Sequence, residues 1–181
     1  MNLTTTGADA LSMTVNSYYN VYDTNPKKVS LEYLLNLESR FTQFKAKAEL
    51  PCFQPHAMGY GRKKEHLLTH TGLVQLDYDY KDNGQLDGSI FRSRAIDELM
   101  DSDFILCAQT SASGKGIWAL LMVDGITIDN HKEITDNALV FAIDRFGLIP
   151  DEKVSRNLAS LRFLSPADDL KVNHEAKAYN L

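Results

Sequence analysis

Three groups of residues have types and spacings that could do chemistry. The first is Asp77 and Asp79, in the run LVQLDYDY from Leu73 to Tyr80. On a strand, carboxylates at i and i+2 share one face. Held that close they repel each other unless a cation lies between them. Hard oxygen ligands suit Mg²⁺ or Mn²⁺, and such a pair can clamp ions for phosphoryl chemistry. The competing reading is an acidic solvent face. Against it, Leu73, Val74, Leu76, Tyr78 and Tyr80 mark a largely buried strand, where an unpaired Asp is costly. The glycine and closing Glu that an EF-hand loop requires are not in place.

The second group is Ser111–Gly116, SASGKG. Small residues here (Ser111, Ser113, Gly114, Gly116) let backbone N–H groups approach phosphate oxygens, and Lys115 adds a point charge. It is not a P-loop: the first glycine is missing, Gly116 stands where Ser or Thr is needed, and a strand rather than a helix follows. The bland alternative is a polar hairpin turn. The third group closes the chain's last apolar run, SLRFLSPADD. Arg162 can meet a phosphate there, and Asp168 (or its neighbour Asp169) can complete a carboxylate cluster. A basic loop, MGYGRKK, adds Arg62, Lys63 and Lys64 as contacts for a nucleic-acid backbone or a triphosphate, or simply as a solvated loop. His66 and His70 have i, i+4 spacing but run into a strand, which disfavours a metal pair. His56 and His131 show no partner in the sequence. Trp118, Tyr18, Tyr19 and Tyr60 read as core residues rather than base-stacking platforms.

The elements that must position these groups follow from patterning. The opening to about Leu11 reads as frayed. Ser12–Tyr22, rich in Val, Thr and Tyr, predicts a strand, and Asp23–Lys28 a turn. Ser30 caps a helix with Leu31, Leu34, Leu35 and Leu37 on its apolar stripe, and a second helical stretch is expected near 38–49. Pro51 and Pro55 bracket an extended piece. Leu73–Tyr80 predicts a strand, Ser89–Met100 a helix, Asp103–Gln109 and Ile117–Val123 two buried strands joined as a hairpin, His131–Phe146 a helix ended by Gly147, and Ser160–Ser165 a last strand. The order from Leu73 is β–α–β–β–α–β, the split β-α-β arrangement of an RRM-like or ferredoxin-like sheet in an α+β protein. In that arrangement the last strand can lie beside the first. An α/β extension over residues 1–65 precedes this 66–181 subdomain, the two forming one compact domain.

Composition bounds the class. At 181 residues, 44% hydrophobic and 24% charged, the chain carries a real core, and disorder is excluded as its main state. No apolar run approaches the roughly 18 residues of a membrane span. The first residues lack the basic start and apolar stretch of a signal peptide, so a cytoplasmic location is expected. Cys52 and Cys107 make no metal motif and read as small buried hydrophobes. The net charge of −5 argues against a nonspecific nucleic-acid coat. Its distribution is uneven: residues 1–66 carry +2 and residues 67–181 carry −7.

Taken as an ordered set, these motifs resemble the archaeo-eukaryotic primase (prim-pol) superfamily. That superfamily has an acidic strand with two carboxylates one residue apart, a strand–turn–strand with a Ser-Gly-x-Gly-x-His type sequence, and a later third acid. LDYDY and SGKGIW stand in that order here. LPCFQPHAMGYGRKKEHLLTHTGLVQLDYDY, SASGKG and RFLS are most similar to the VirE N-terminal-like primase domain of bacterial mobile elements and phages. The resemblance covers roughly Leu50–Asp169. It implies template-directed nucleotidyl transfer from NTP or dNTP on a single-stranded DNA template. It further implies two Mg²⁺ or Mn²⁺ ions on Asp77, Asp79 and Asp168, the triphosphate on the Ser111–Gly116 turn with Arg162, and a helicase domain or subunit as partner. One position departs: Trp118 stands where many members have the histidine that contacts the incoming nucleotide. Three readings follow. They are a DNA primase/polymerase domain, a catalytically weak or inactive nucleotide or single-strand binding module on the same fold, and an RRM-like partner-binding domain with an incidental acidic strand.

Overall fold

The computed structural model describes residues 6–38, 47–165 and 167–180. Its centre is a four-stranded antiparallel sheet of β6 (Leu73–Asp79), β7 (Ile105–Thr110), β8 (Gly116–Met122) and β10 (Lys171–Val172), in the order β10-β7-β8-β6. All seven residues of β8 and all six of β7 are buried, because both faces of this sheet are covered. One face packs on α3 (Ser89–Met100) and α4 (His131–Phe146): Val74, Leu76, Tyr78, Ile117, Ala119 and Leu121 meet Ile96, Leu99, Ala138, Leu139 and Ala142. Gly147 caps α4 in the left-handed conformation (φ +64°), as its place after the last apolar residue predicts.

The other face packs on a second sheet, of β1 (Thr14–Tyr18), β2 (Lys27–Ser30), β3 (Cys52–Gln54) and β9 (Arg162–Phe163), antiparallel throughout and in the order β2-β1-β3-β9. Leu73, Trp118, Leu120 and Met122 meet Val15 and Phe53 there, with Leu31, Leu34 and Leu35 of α2 (Leu31–Glu38). Ser30 Oγ accepts from the Tyr33 N–H at 3.2 Å, the expected cap. A hairpin of β4 (Ala57–Gly59) and β5 (Leu67–His70) carries the basic loop at its tip.

The start of the chain departs from expectation. Gly7–Ser12 is a helix, α1, because Thr6 and Asp9 form a reciprocal capping box. Residues 1–5 and the middle of the helical stretch expected near 38–49 lie outside the described residues; Lys47–Glu49 form a single 3₁₀ turn.

The last strand also departs. β9 does not lie beside β6; it joins β3 in the second sheet, and the short β10 closes the central sheet beside β7, at the edge opposite β6. The reason is that the free edge of β6 is already occupied. A short helix unforeseen in the sequence, α5 (Glu152–Arg156), lies along it. The Asp151 N–H donates to Asp77 O at 2.7 Å and Ser155 Oγ donates to Gln75 O at 2.6 Å. On the same edge the Gln75 N–H donates to His56 Nε2 at 2.9 Å. These bonds satisfy edge groups that a further strand would otherwise take. Strand β9 therefore carries residues from the chain's second half into the second sheet, and the sheets do not divide at residue 65. The architecture is α+β with antiparallel sheets.

Candidate active site

Strand periodicity turns Leu73, Gln75, Asp77 and Asp79 toward the second sheet. Along that face apolar packing gives way to a cavity of about 350 Å³. Four of the segments singled out in the sequence line it, through Asp77, Ser111, Arg162 and Arg62. Lys47 and Gln75 line it too, and nothing in their sequence context marked them.

Asp77 is the most perturbed carboxylate of the site. Burial raises its pKa above the usual carboxylate range; Arg162 and Lys47 oppose the rise, while Asp79 and Asp151 add to it. Desolvation thus outweighs the two cations. Arg162 is buried, with its guanidinium carbon 3.8 Å from the centroid of the Trp118 ring. Trp118 pairs across the strands with Asp77 on one side and Gln109 on the other, and its Nε1–H donates to Gln109 Oε1 at 3.3 Å. The indole therefore serves as a shelf under the cation.

Asp79 lies at the strand's end with its side chain 42% exposed, and Lys81 Nζ is 3.2 Å from its Oδ2. Asp168 is exposed and is not among the charges acting on Asp77. Its neighbour Asp169 instead accepts from the Thr110 N–H at 3.1 Å and from the Thr110 hydroxyl. The third carboxylate felt at Asp77 is Asp151, whose Oδ1 also caps α5 through the Lys153 and Val154 N–H groups. Its signal in the sequence was the Pro-Asp-Glu helix start after Ile149.

The Ser111–Gly116 turn is a tight connection. Ser111 N–H donates to Gly116 O at 2.9 Å, Gly114 N–H to Ser111 O at 2.8 Å, and Gly114 has φ +69°. Ser111 faces the cavity, while Ser113 and Lys115 are exposed at the turn. Gly116 has a packing reason to be glycine: a Cβ there would lie 2.3 Å from Tyr78 O. Lys63 and Lys64 are exposed on the basic loop. Arg62 turns inward, donating from Nη1 to Val21 O, with its guanidinium 5.9 Å from the Tyr18 ring.

Sequence reasoning missed a histidine array behind the cavity. His56, His70 and His131 have ring centroids 5.1 Å apart in two successive pairs. His56 Nδ1–H donates to Asn157 O at 2.9 Å while its Nε2 accepts from Gln75. His70 Nδ1 accepts from the Gly72 N–H, so its Nε2–H donates to His131 Nδ1 at 3.0 Å, and His131 Nε2–H donates to Ser155 O at 3.1 Å. Every ring is neutral with its tautomer fixed, and burial holds the pKa of His56 and His70 down to about 3. Such rings organise; they do not accept protons near neutrality. Among the described residues, no group of three or more His, Cys, Asp or Glu converges as for a metal ion. The donor set nearest to one is the Asp77–Asp79 pair. Two carboxylates suit a hard divalent cation that completes its shell with water and substrate phosphate.

No helix among the described residues is long and apolar enough to cross a membrane. No family model, no curated protein and no solved structure matches the chain.

Proposed function

We propose that this chain is a template-directed nucleotidyltransferase domain, a primase-polymerase of the prim-pol kind, acting on NTP or dNTP. One observation carries the reading. A single cavity gathers Asp77, Ser111, Arg162 and Arg62 from four segments that the motif order alone had linked. The charges suit the task. Three cations, Lys47, Arg62 and Arg162, line a cavity whose one acidic lining residue, among those described, is Asp77, which favours a polyanionic ligand.

Each residue has a definable part. Asp77 and Asp79 would hold Mg²⁺ or Mn²⁺, which supplies Lewis acidity toward a phosphoryl group. Arg162, fixed on Trp118, places a permanent charge beside Asp77, where negative charge builds during phosphoryl transfer. The Ser111 hydroxyl, which faces the cavity, and the Lys115 ammonium on the same turn would receive phosphate oxygens. Asp168, exposed, contributes to such a site only if its loop moves inward. Asp151 is the nearer third carboxylate.

The test is labelled-nucleotide incorporation on single-stranded DNA, with Mg²⁺ and separately with Mn²⁺, comparing wild type and Asp77→Asn. Product that disappears in the variant supports the reading, and product length separates priming from extension.

One observation favours the second reading, a binding module without turnover. Trp118 occupies the position beside Asp77 and already donates its only side-chain N–H to Gln109, leaving no donor for an incoming nucleotide. Nucleotide binding without incorporation under either metal, with a helicase-bearing partner protein also supplied, would favour this alternative.

A further inference from the structure

Around the mouth of the cavity the surface changes character. The β1 strand ends at Tyr18, which is buried and donates its hydroxyl to Gln54 Oε1. The chain then turns, and Tyr19 and Tyr22 stand 75% and 77% exposed. Tyr60, at the tip of the β4–β5 hairpin, is 63% exposed. Tyr19 and Tyr60 thus depart from the core role expected of them, whereas Tyr18 and Trp118 keep it. Single exposed rings are ordinary on a protein surface, but several gathered beside one cavity offer flat faces to a ligand.

The three rings belong to one rim. Arg62 ties the hairpin tip to the 19–22 turn through Val21 O, and the Val21 N–H donates to Ala48 O at 3.2 Å. Val21, Lys47 and Arg62 all line the cavity. The backbone that carries Tyr19 and Tyr22 is held by its own turn. The Tyr19 N–H donates to Asp23 Oδ2 at 3.1 Å, and the Tyr22 N–H to Asn20 Oδ1 at 2.9 Å. Tyr60 rests on the His66 ring at 4.9 Å between centroids, leaving its outer side to solvent. A preformed turn loses little backbone freedom on binding.

The charge around them is equally distinct. Segments 19–28 and 47–66 hold six Lys and Arg against three Asp and Glu, within a chain of net −5. One of those acids, Asp23, is engaged by backbone N–H groups of its own turn. Exposed aromatic rings interleaved with cations are the chemistry of single-strand binding: bases stack on the rings while the phosphates meet lysine and arginine. A duplex keeps its bases stacked on one another and has no free faces to offer.

We propose that Tyr19, Tyr22 and Tyr60, with Lys63 and Lys64, form a stacking track for single-stranded nucleic acid that leads to the cavity. The inference rests on the nucleotidyl-transfer reading only for the purpose of the track; strand binding itself needs neither metal nor turnover.

The experiment is fluorescence anisotropy of a labelled twelve-residue oligothymidylate and of a labelled hairpin duplex, both in EDTA, across a salt series. Wild type should bind the single strand several-fold tighter than the duplex. Each Tyr→Ala change should weaken it about tenfold, the low-to-middle range for one stacked base. Tyr→Phe should retain binding, since the ring and not the hydroxyl is used. Lys63→Glu with Lys64→Glu should flatten the dependence of log K on log salt by about 1.4, at roughly 0.7 for each phosphate no longer neutralised. Equal affinity for duplex and single strand, or unchanged binding in the triple Tyr→Ala variant with its thermal melt intact, overturns the track. Incorporation by wild type, measured beside strand binding, separates the two ideas. Strand binding without incorporation by wild type refutes the nucleotidyl-transfer reading alone. Incorporation without selective strand binding refutes the track alone.

Discussion

Arg162 sits over the face of Trp118, 3.8 Å from the ring centroid, and Trp118 stands directly across from Asp77. The three form one arrangement: ring, cation, carboxylate. A guanidinium on an indole gains about 0.5–2 kcal/mol and remains charged at every accessible pH. It is also the strongest influence holding the Asp77 carboxyl down against burial.

Arg162→Leu removes that influence, so the Asp77 pKa rises further. A carboxyl with a higher pKa must be deprotonated at higher pH before it can ligate a cation. The acid limb of Mn²⁺ binding, followed by calorimetry from about pH 4.5 to 8, should shift upward in the variant. An unshifted limb would show that Arg162 does not act on Asp77.

Asp77→Asn should stabilise the fold while abolishing cation binding. The folded-state pKa of Asp77 is raised above its unfolded value, so stability falls as pH rises through that pKa. The variant escapes this loss. Its advantage should be near zero at about pH 3.5 and reach about 0.5–2 kcal/mol at pH 7, the usual scale for relieving a functional site. Urea unfolding at both pH values measures it; a variant less stable than wild type at neutral pH counts against the assignment.

The histidine array predicts acid lability of the opposite sign. His56 and His70 have folded pKa values of about 3, well below the unfolded 6.5. The unfolded chain therefore takes up protons first. Stability is full above pH 6.5 and declines as pH falls toward 3, by up to about 1.4 kcal/mol per pH unit for each ring. In His56→Asn the urea midpoint should fall less steeply between about pH 6.5 and 5 than in wild type. Parallel slopes would place the lability elsewhere.

Gly116→Ala tests whether the turn's glycine is there for phosphate or for packing. The new Cβ meets the backbone oxygen of Tyr78 at 2.3 Å, where no flexible side chain can give way, so the β6–β8 pairing must part beside Asp79. A cost of about 1–3 kcal/mol is expected, on the scale of overpacking. Gly114→Ala meets no atom within 4 Å and pays only for its positive φ, about 1–2 kcal/mol. If Gly116→Ala melts like wild type, the glycine serves the ligand rather than the sheet.

Local pattern made much of this legible. The alternation in Leu73–Asp79, the Gly147 stop and the Ser30 cap each rest on neighbours a few residues away, and the structure keeps them. What the sequence concealed depends on distant partners. His56 and His131 looked isolated because they are 75 positions apart and meet only once the hairpin docks on α4. Tyr18 and Tyr19 are adjacent and chemically identical, yet one is buried and one exposed, since β1 ends at Tyr18 and the chain turns out into solvent. The pairing of β9 with β3 was hidden because α5, too short for a periodic signal, takes the edge of β6.

That occupied edge has a consequence for how anything reaches Asp77. With Asp151, Ser155 and His56 bonded along β6, the carboxylate strand offers no open side to a neighbouring polypeptide. Molecules of this protein cannot zip together through it, and no extended peptide can dock beside it. Asp77 is reached through the cavity that Lys47, Arg62 and Arg162 line, so a ligand arriving there meets their positive charges.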